Sequence, residues 1–294
     1  MPFTLSHAAA VLPGIRRSGT GRGPFLASAL VAGSFAPDLT YYAASGVPGG
    51  MEFGGLTHSV PGILTVDVLC AALLVGLWLL VRAPLVALLP RRMQGRVYGF
   101  VRGERWERGS AALAGKFVLS AVVGALTHVA WDLFTHPGRL GMELFPVLGQ
   151  VVAGFPLYTY AQYGTSALAA LGLGWFLLTA LRRQGGGGAG LGEGVGPGEG
   201  VGPGEGAGPG EVPLLDVRRR VAGGGLLLGC AVVGAVQRCV RWAAAQSVPL
   251  RPFDYIPTIC FGAGAGLMVG LVLYAGLVRW WGRETVGAER VRVP

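Results

Sequence analysis

Apolar stretches long enough to cross a membrane recur along this chain, separated by polar or basic segments. They fall at roughly 25–43, 60–81, 110–135, 165–181, 221–237 and 258–281. About 17–25 apolar residues in helical conformation cross ~30 Å of hydrocarbon, so the pattern predicts an all-α polytopic integral membrane protein with about six transmembrane helices. The pattern breaks once. Residues 184–213 are almost entirely Gly, Pro, Glu and Val, and a Glu-Gly-Val-Gly-Pro-Gly unit recurs at 193–198 and 199–204, with a close copy at 205–210. Such a tract buries too little apolar surface to offset its ordering entropy and reads as a flexible linker. The expected organisation is therefore a four-span domain over 1–183, a linker over 184–213, and a two-span segment over 214–294. Met1-Pro2-Phe3 lacks the basic stretch of a cleaved signal peptide, so the first span is expected to act as a signal anchor.

Composition agrees with this reading: 52% of residues are hydrophobic and 13% charged, with mean hydropathy +0.54. Charge adds orientation. Of 24 Lys and Arg, 20 lie before residue 25, in 82–116, in 182–220 and after 278. The positive-inside rule makes these segments cytoplasmic, which predicts a multi-pass cell-membrane protein with both termini inside. The net charge of +9 follows from that rule, and no nucleic-acid module accompanies it, so membrane lipid and not nucleic acid is the expected partner. No signature of a particular oligomeric state is visible. Cys70, Cys230, Cys239 and Cys260 show no Cys-x-x-Cys spacing and read as small buried hydrophobes.

Candidate chemistry is confined to the first half, which holds all four histidines. His128, Asp132 and His136 are spaced four apart and share one stripe of a helix. Imidazole and carboxylate together ligate divalent metals that activate water, and a carboxylate within an apolar span is costly without a partner. Asp38 follows Pro37 near the end of the first span, and His58 precedes the second. By the charge argument these groups converge on the extracytoplasmic side. His128 and His136 are ~12 Å apart along the helix, so either His128 and Asp132 share one ion or Asp132 bridges two. His7 would face the wrong side unless residues from about Thr4 to Arg16 form a half-helix that turns at 18–24 and packs antiparallel to the first span. Each residue also has a structural alternative: His58 as an interhelical hydrogen-bonding group, His136 as a helix C-cap, His7 on a cytoplasmic amphipathic start. Asp67 lies half a turn out of phase with His58 and fits an outer supporting role. Arg139 and Glu143, just past the motif, are candidates to bind an anionic head group and assist proton transfer.

The ordered series Met1 to His7, Ala36-Pro37-Asp38, Thr57-His58-Ser59-Val60-Pro61-Gly62, and Thr127-His128 through Asp132 to Thr135-His136 resembles an uncharacterised bacterial membrane family, domain of unknown function 4184. Gln162-Tyr163-Gly164 fits it too, and the resemblance covers approximately 1–181. More distantly the series is similar to predicted membrane-bound metal-dependent hydrolases and to the zinc-dependent phospholipase C group. That similarity implies His7, Asp38, His58, His128, Asp132 and His136 as metal ligands, with Asp132 and Asp38 in catalytic roles and a divalent metal, zinc first, as cofactor. The additional His-x-x-x-Glu pair of the phospholipase group is missing, which argues against a three-metal site. The function expected is hydrolysis of a phosphoester or lipid-like substrate at the outer membrane face. The alternatives are a non-catalytic metal-binding or transport protein, and a structural membrane protein whose His/Asp set is polar glue.

Overall fold

The computed structural model describes residues 3–103, 106, 110–185, 212–246, 253 and 255–290, with side chains omitted at 185 and 283–290. The expected linker at 184–213 lies almost wholly outside these residues. The chain opens with an 11-residue 3₁₀ segment, Thr4–Gly14, followed by α1 (Ala27–Phe35), a 3₁₀ turn Ala36–Asp38 and α2 (Leu39–Ala43). Short helices α3 (Gly54–Thr57) and α4 (Val60–Leu64) lead into α5 (Val66–Ala87), then α6 (Arg91–Arg102) and α7 (Ala111–Thr135). After α8 (Leu140–Leu144) a two-residue hairpin pairs β1 (Val151–Val152) with β2 (Phe155–Pro156). The long helices α9 (Leu157–Gly185), α10 (Val217–Ala244) and α11 (Tyr255–Arg290) complete the described fold.

Among the described residues, five helices are long and apolar enough to cross a membrane: α5, α7, α10 and the greater parts of α9 and α11. The sixth expected span, at 25–43, is not one helix. Pro37 lacks an amide hydrogen and its ring crowds the preceding turn, so the helix yields to the 3₁₀ turn Ala36–Asp38. The nine residues of α1 rise only ~14 Å, less than half the hydrocarbon thickness. The 60–81 stretch is also interrupted, at Thr65 (φ −128°, ψ −78°). The N-terminal segment forms the hairpin that would bring His7 back toward Asp38. The 3₁₀ segment runs antiparallel to α1 through the turn at Arg16–Thr20, where Ile15 bridges Gly21.

Caps and glycines fix these elements. The side chains of Ser59, Ser110 and Asp216 accept the backbone amides of Gly62, Leu113 and Arg219, closing the first turns of α4, α7 and α10. α7 ends where His136 precedes Pro137, which forces the extended backbone seen at His136 (ψ 141°). α1 lies parallel to α7 in very close contact: a Cβ on Gly33 would stand 2.3 Å from the Ala121 carbonyl oxygen, and one on Gly124 2.3 Å from that of Leu30. α10 and α11 cross through Gly234, Gly262 and Gly266 in the same manner. Arg238 of α10 donates to the Tyr41 carbonyl and the Ser45 hydroxyl, tying this pair to the end of α2.

Candidate metal centre

The 3₁₀ segment sets the first residue of the site. Side chains three apart eclipse in this geometry, so Thr4 and His7 project to one side. The Thr4 hydroxyl donates to Asp38 Oδ2 at 2.6 Å. The turn at Pro37 is locked in place by Thr57, whose hydroxyl donates to the Pro37 carbonyl at 2.7 Å. The next residue, His58, closes α3, and Ser59 caps α4. Gly62 permits the sharp turn between them, since a Cβ there would stand 1.9 Å from the Leu56 carbonyl oxygen. The Pro-Asp and Thr-His-Ser sequences thus form one interlocked corner.

Against this corner α7 presents His128 and Asp132. All four residues are buried: Asp38 and His128 are 0% exposed, Asp132 3% and His58 8%. His128 Nε2 lies 3.4 Å from both Asp38 Oδ1 and Asp132 Oδ2. His58 Nε2 lies 3.5 Å from Asp132 Oδ2 and 3.9 Å from Asp38 Oδ1. One ligand atom from each residue fits within 4.8 Å of the other three, so Asp38, His58, His128 and Asp132 form a group that can hold a metal ion.

Hydrogen bonding decides what faces the centre. His128 Nδ1 is 2.7 Å from the Ser34 carbonyl oxygen, and His58 Nδ1 is 2.9 Å from that of Gly54. A carbonyl only accepts, so each Nδ1 carries the proton, and in the neutral ring each Nε2 turns a lone pair toward the carboxylates. Lone pair against carboxylate oxygen is repulsive unless a cation or extra protons intervene. Protons on both Nε2 atoms would draw the contacts to ~2.7–2.9 Å as charge-assisted hydrogen bonds. Donors bound at ~2.0–2.2 Å around a tetrahedral ion are instead separated by ~3.3–3.6 Å. Three of the four nitrogen–oxygen separations fall in that range, and the fourth, His58 to Asp38, is 3.9 Å. Two carboxylates and two neutral imidazoles also sum to −2, the charge a divalent cation neutralises. A backbone carbonyl holding the far nitrogen of each imidazole is the usual outer support of a metal-binding histidine.

The other predicted residues divide. His7 stacks on His128 (ring centroids 3.7 Å apart), and its Nε2 lies 3.5 Å from Asp132 Oδ1, the oxygen turned away from the four-donor group. His136 Nδ1 lies 3.4 Å from that same oxygen, and its Nε2 is 3.1 Å from Gln162 Nε2. Burial pushes the His136 imidazole down to about 4, so the ring is neutral near pH 7. Gln162 donates to Nε2, which leaves the proton on Nδ1, between the Thr135 hydroxyl at 3.1 Å and Asp132 Oδ1 at 3.4 Å. His7 and His136 therefore flank Asp132 and are not among the four grouped donors. Arg139 lies beside the Tyr41 hydroxyl, whose ring is 5.7 Å from that of His58. Glu143 is exposed on α8, outside the buried cluster. Asp67 is buried in the first turn of α5, and neither of its carboxylate oxygens has a hydrogen-bond partner among the described residues.

Sequence reasoning missed Thr4, Tyr41, the Ser34 and Gly54 carbonyls and the role of Gln162. Thr4 had a signal, three residues before His7, but only in a 3₁₀ register. The two carbonyls carry no residue-type signal at all.

A family model described as "Domain of unknown function (DUF4184)" matches residues 1–276, and the chain belongs to that family. The match runs past residue 181 and well into α11, so α10 and the first part of α11 fall within the family's extent. No curated protein and no solved structure matches the chain.

Proposed function

We propose that this member of the family is a membrane-bound metal-dependent hydrolase acting on a phosphoester or lipid-like substrate at the outer membrane face. The observation that carries the reading is the pair of imidazoles, His58 and His128, oriented by backbone carbonyls so that their lone pairs face Asp38 and Asp132, at 3.4 or 3.5 Å in three contacts and 3.9 Å in the fourth, His58 to Asp38. Oxygen and nitrogen donors in this mixture suit zinc. A bound zinc ion would lower the pKa of water toward ~7 and polarise a phosphoryl oxygen. His7 and His136 would join it as partners of Asp132, supporting the donor carboxylate from its outer side.

The remaining chemistry belongs to the chain. Arg139, beside Tyr41, receives the anionic group of the substrate near His58. As the water oxygen bonds to phosphorus and the ester oxygen departs, the Asp132 carboxylate accepts the water's proton. For His136, whose side chain is 16% exposed, to pass that proton outward, its own proton must first move from Nδ1 to Nε2, with the Gln162 amide turning its oxygen to Nε2; Nδ1 then accepts from Asp132 and Nε2 releases a proton to the leaving oxygen or solvent. Asp38, held through Oδ2 by Thr4, stays fixed as a donor and second proton acceptor.

Sidedness rests on arginine. Arg16, Arg17, Arg22, Arg82, Arg182, Arg183 and Arg279 lie at the helix ends opposite the site, so those ends are read as cytoplasmic and the site as outward-facing. The C-terminal end of α11 then lies inside, whereas Thr4, in contact with Asp38, lies on the outer side. This revises the expectation that the chain's start is cytoplasmic.

A second reading has its own support. Four buried protein donors fill a tetrahedral shell, which favours storage or passage of the ion over catalysis. Both readings meet one assay: purified protein with zinc, manganese or chelator, tested on phospholipid, prenyl-phosphate and phosphodiester substrates and on ion flux in liposomes. Metal-dependent turnover abolished in Asp132→Asn, with Arg139→Ala raising KM more than it lowers kcat, is the expected result. Flux without turnover overturns the hydrolase in favour of transport.

A further inference from the structure

A second cavity lies apart from the metal centre. It is a half-open slot lined by residues of the 3₁₀ segment, α1, α5, α6, α9 and α11, has a volume of about 900 Å³, and none of the four metal donors lines it. The walls are aliphatic and aromatic, with Leu12, Val31, Trp78 and Phe176 among them. Along α5 the lining runs from Leu74 to Leu85, a rise of ~16 Å; along the 3₁₀ segment it runs from Leu5 to Ile15, ~20 Å. One leaflet contributes about half of the ~30 Å hydrocarbon core, so the slot matches the depth of a single acyl layer.

Its polar end is equally specific. The two charged residues lining the cavity are Arg82 and Arg102, and they are adjacent, Arg82 donating to the Arg102 carbonyl at 2.9 Å. Arg82 is fifteen residues beyond Asp67 on α5, so this end lies ~22 Å from the start of that helix. A third arginine joins them: the Arg17 guanidinium lies 5.6 Å from the centroid of the lining residue Phe176. Its Nη1 is buried without a hydrogen-bond partner among the described residues. Phe176 in turn contacts Phe100, two residues before Arg102. An apolar slot one leaflet deep, lined at one end by Arg82 and Arg102 and with the Arg17 guanidinium near its lining residue Phe176, is complementary to a lipid with an anionic head.

We propose that this cavity binds one anionic glycerophospholipid from the leaflet on the arginine-rich side, with an acyl chain in the slot and the phosphate at Arg17, Arg82 and Arg102. The arginine fork suits phosphate oxygens bidentately, and the snug apolar wall makes exchange slow. The lipid seals the N-terminal hairpin against α5 and α9 and is separate from any substrate of the metal centre.

The test is native mass spectrometry of the full chain released from nanodiscs of equimolar phosphatidylglycerol and phosphatidylcholine with matched acyl chains. The wild type should retain one phosphatidylglycerol per chain at least tenfold over phosphatidylcholine. Arg17→Gln with Arg82→Gln should erase that preference, and Ser28→Phe, which fills the slot, should reduce retention of both lipids. Thermal unfolding of each variant identifies any that fail to fold. The wild-type competition stands without them: equal retention of the two lipids, or none, overturns the proposal, as does an unchanged preference in a folded double-arginine variant.

Discussion

At the scale of the residue, the site is set by hydrogen bonds that leave four donor atoms with nothing else to do. Thr4 occupies one oxygen of Asp38, and two main-chain carbonyls occupy one nitrogen each of His58 and His128. Removing such a partner without touching a donor isolates its effect. Thr4→Val should therefore weaken zinc affinity by roughly 10–100-fold. It should also cost on the order of 1.5–3 kcal/mol, the usual worth of a hydrogen bond to a charged group. A zinc titration with a competing chelator reads the first figure and thermal unfolding the second; unchanged affinity would remove Thr4 from the site. Gln162→Leu, by contrast, takes away the donor to His136 Nε2. It should leave zinc content near the wild-type level while altering the pH profile of any turnover, because His136 could then shift its proton between nitrogens with no amide to turn. Wild-type zinc content with an unmoved profile would exclude His136 from proton transfer.

At the scale of the element, the interface of α1 with α7 carries the geometry. Gly33 and Gly124 let the two backbones touch, and only at that distance does the Ser34 carbonyl reach His128 Nδ1. Gly124→Val should force the helices apart, lower the unfolding temperature and empty the metal site together. Gly115→Ala on the same helix has open space around it and should be neutral or stabilising by up to ~1 kcal/mol. Equal behaviour of the two variants would mean that the close contact is not what holds the site. Much of this level was legible beforehand: the long helices appear near their expected places, and His128 and Asp132 share a face because a helix puts every fourth residue there. Residues 27–43 wind continuously, close to the expected first span, but hydropathy counts apolar residues without weighing Pro37, where α1 gives way to a 3₁₀ turn after nine residues. The short hairpin of the N-terminal segment could be argued from His7 alone, yet its 3₁₀ winding could not. No propensity distinguishes that winding from an α-helix, and it is the winding that aligns Thr4 with His7.

At the scale of the whole molecule, the site lies at one end of the bundle and the arginine-rich helix ends at the other. Reporter fusions should report inside after residue 100, outside after 150 and inside after 200, with a tag placed before Thr4 reporting outside. An inside signal from that tag would break the link between the 3₁₀ segment and the outward face. The glycine- and proline-rich tract, which connects α9 to α10, should tolerate replacement of residues 186–211 by a few Gly-Ser units with expression and metal content preserved; a large loss of folded protein would assign it a structural role. The central claim is that Asp38, His58, His128 and Asp132 together hold a divalent cation, and elemental analysis of purified protein tests it most directly. After zinc loading and removal of free metal, the wild type should carry about one equivalent of zinc per chain at the four-donor group. His128→Ala, confirmed as folded by its unfolding transition, should carry less than about a tenth of that. A wild type that binds no zinc or other divalent metal, or a folded His128→Ala protein that keeps its full complement, would contradict the account.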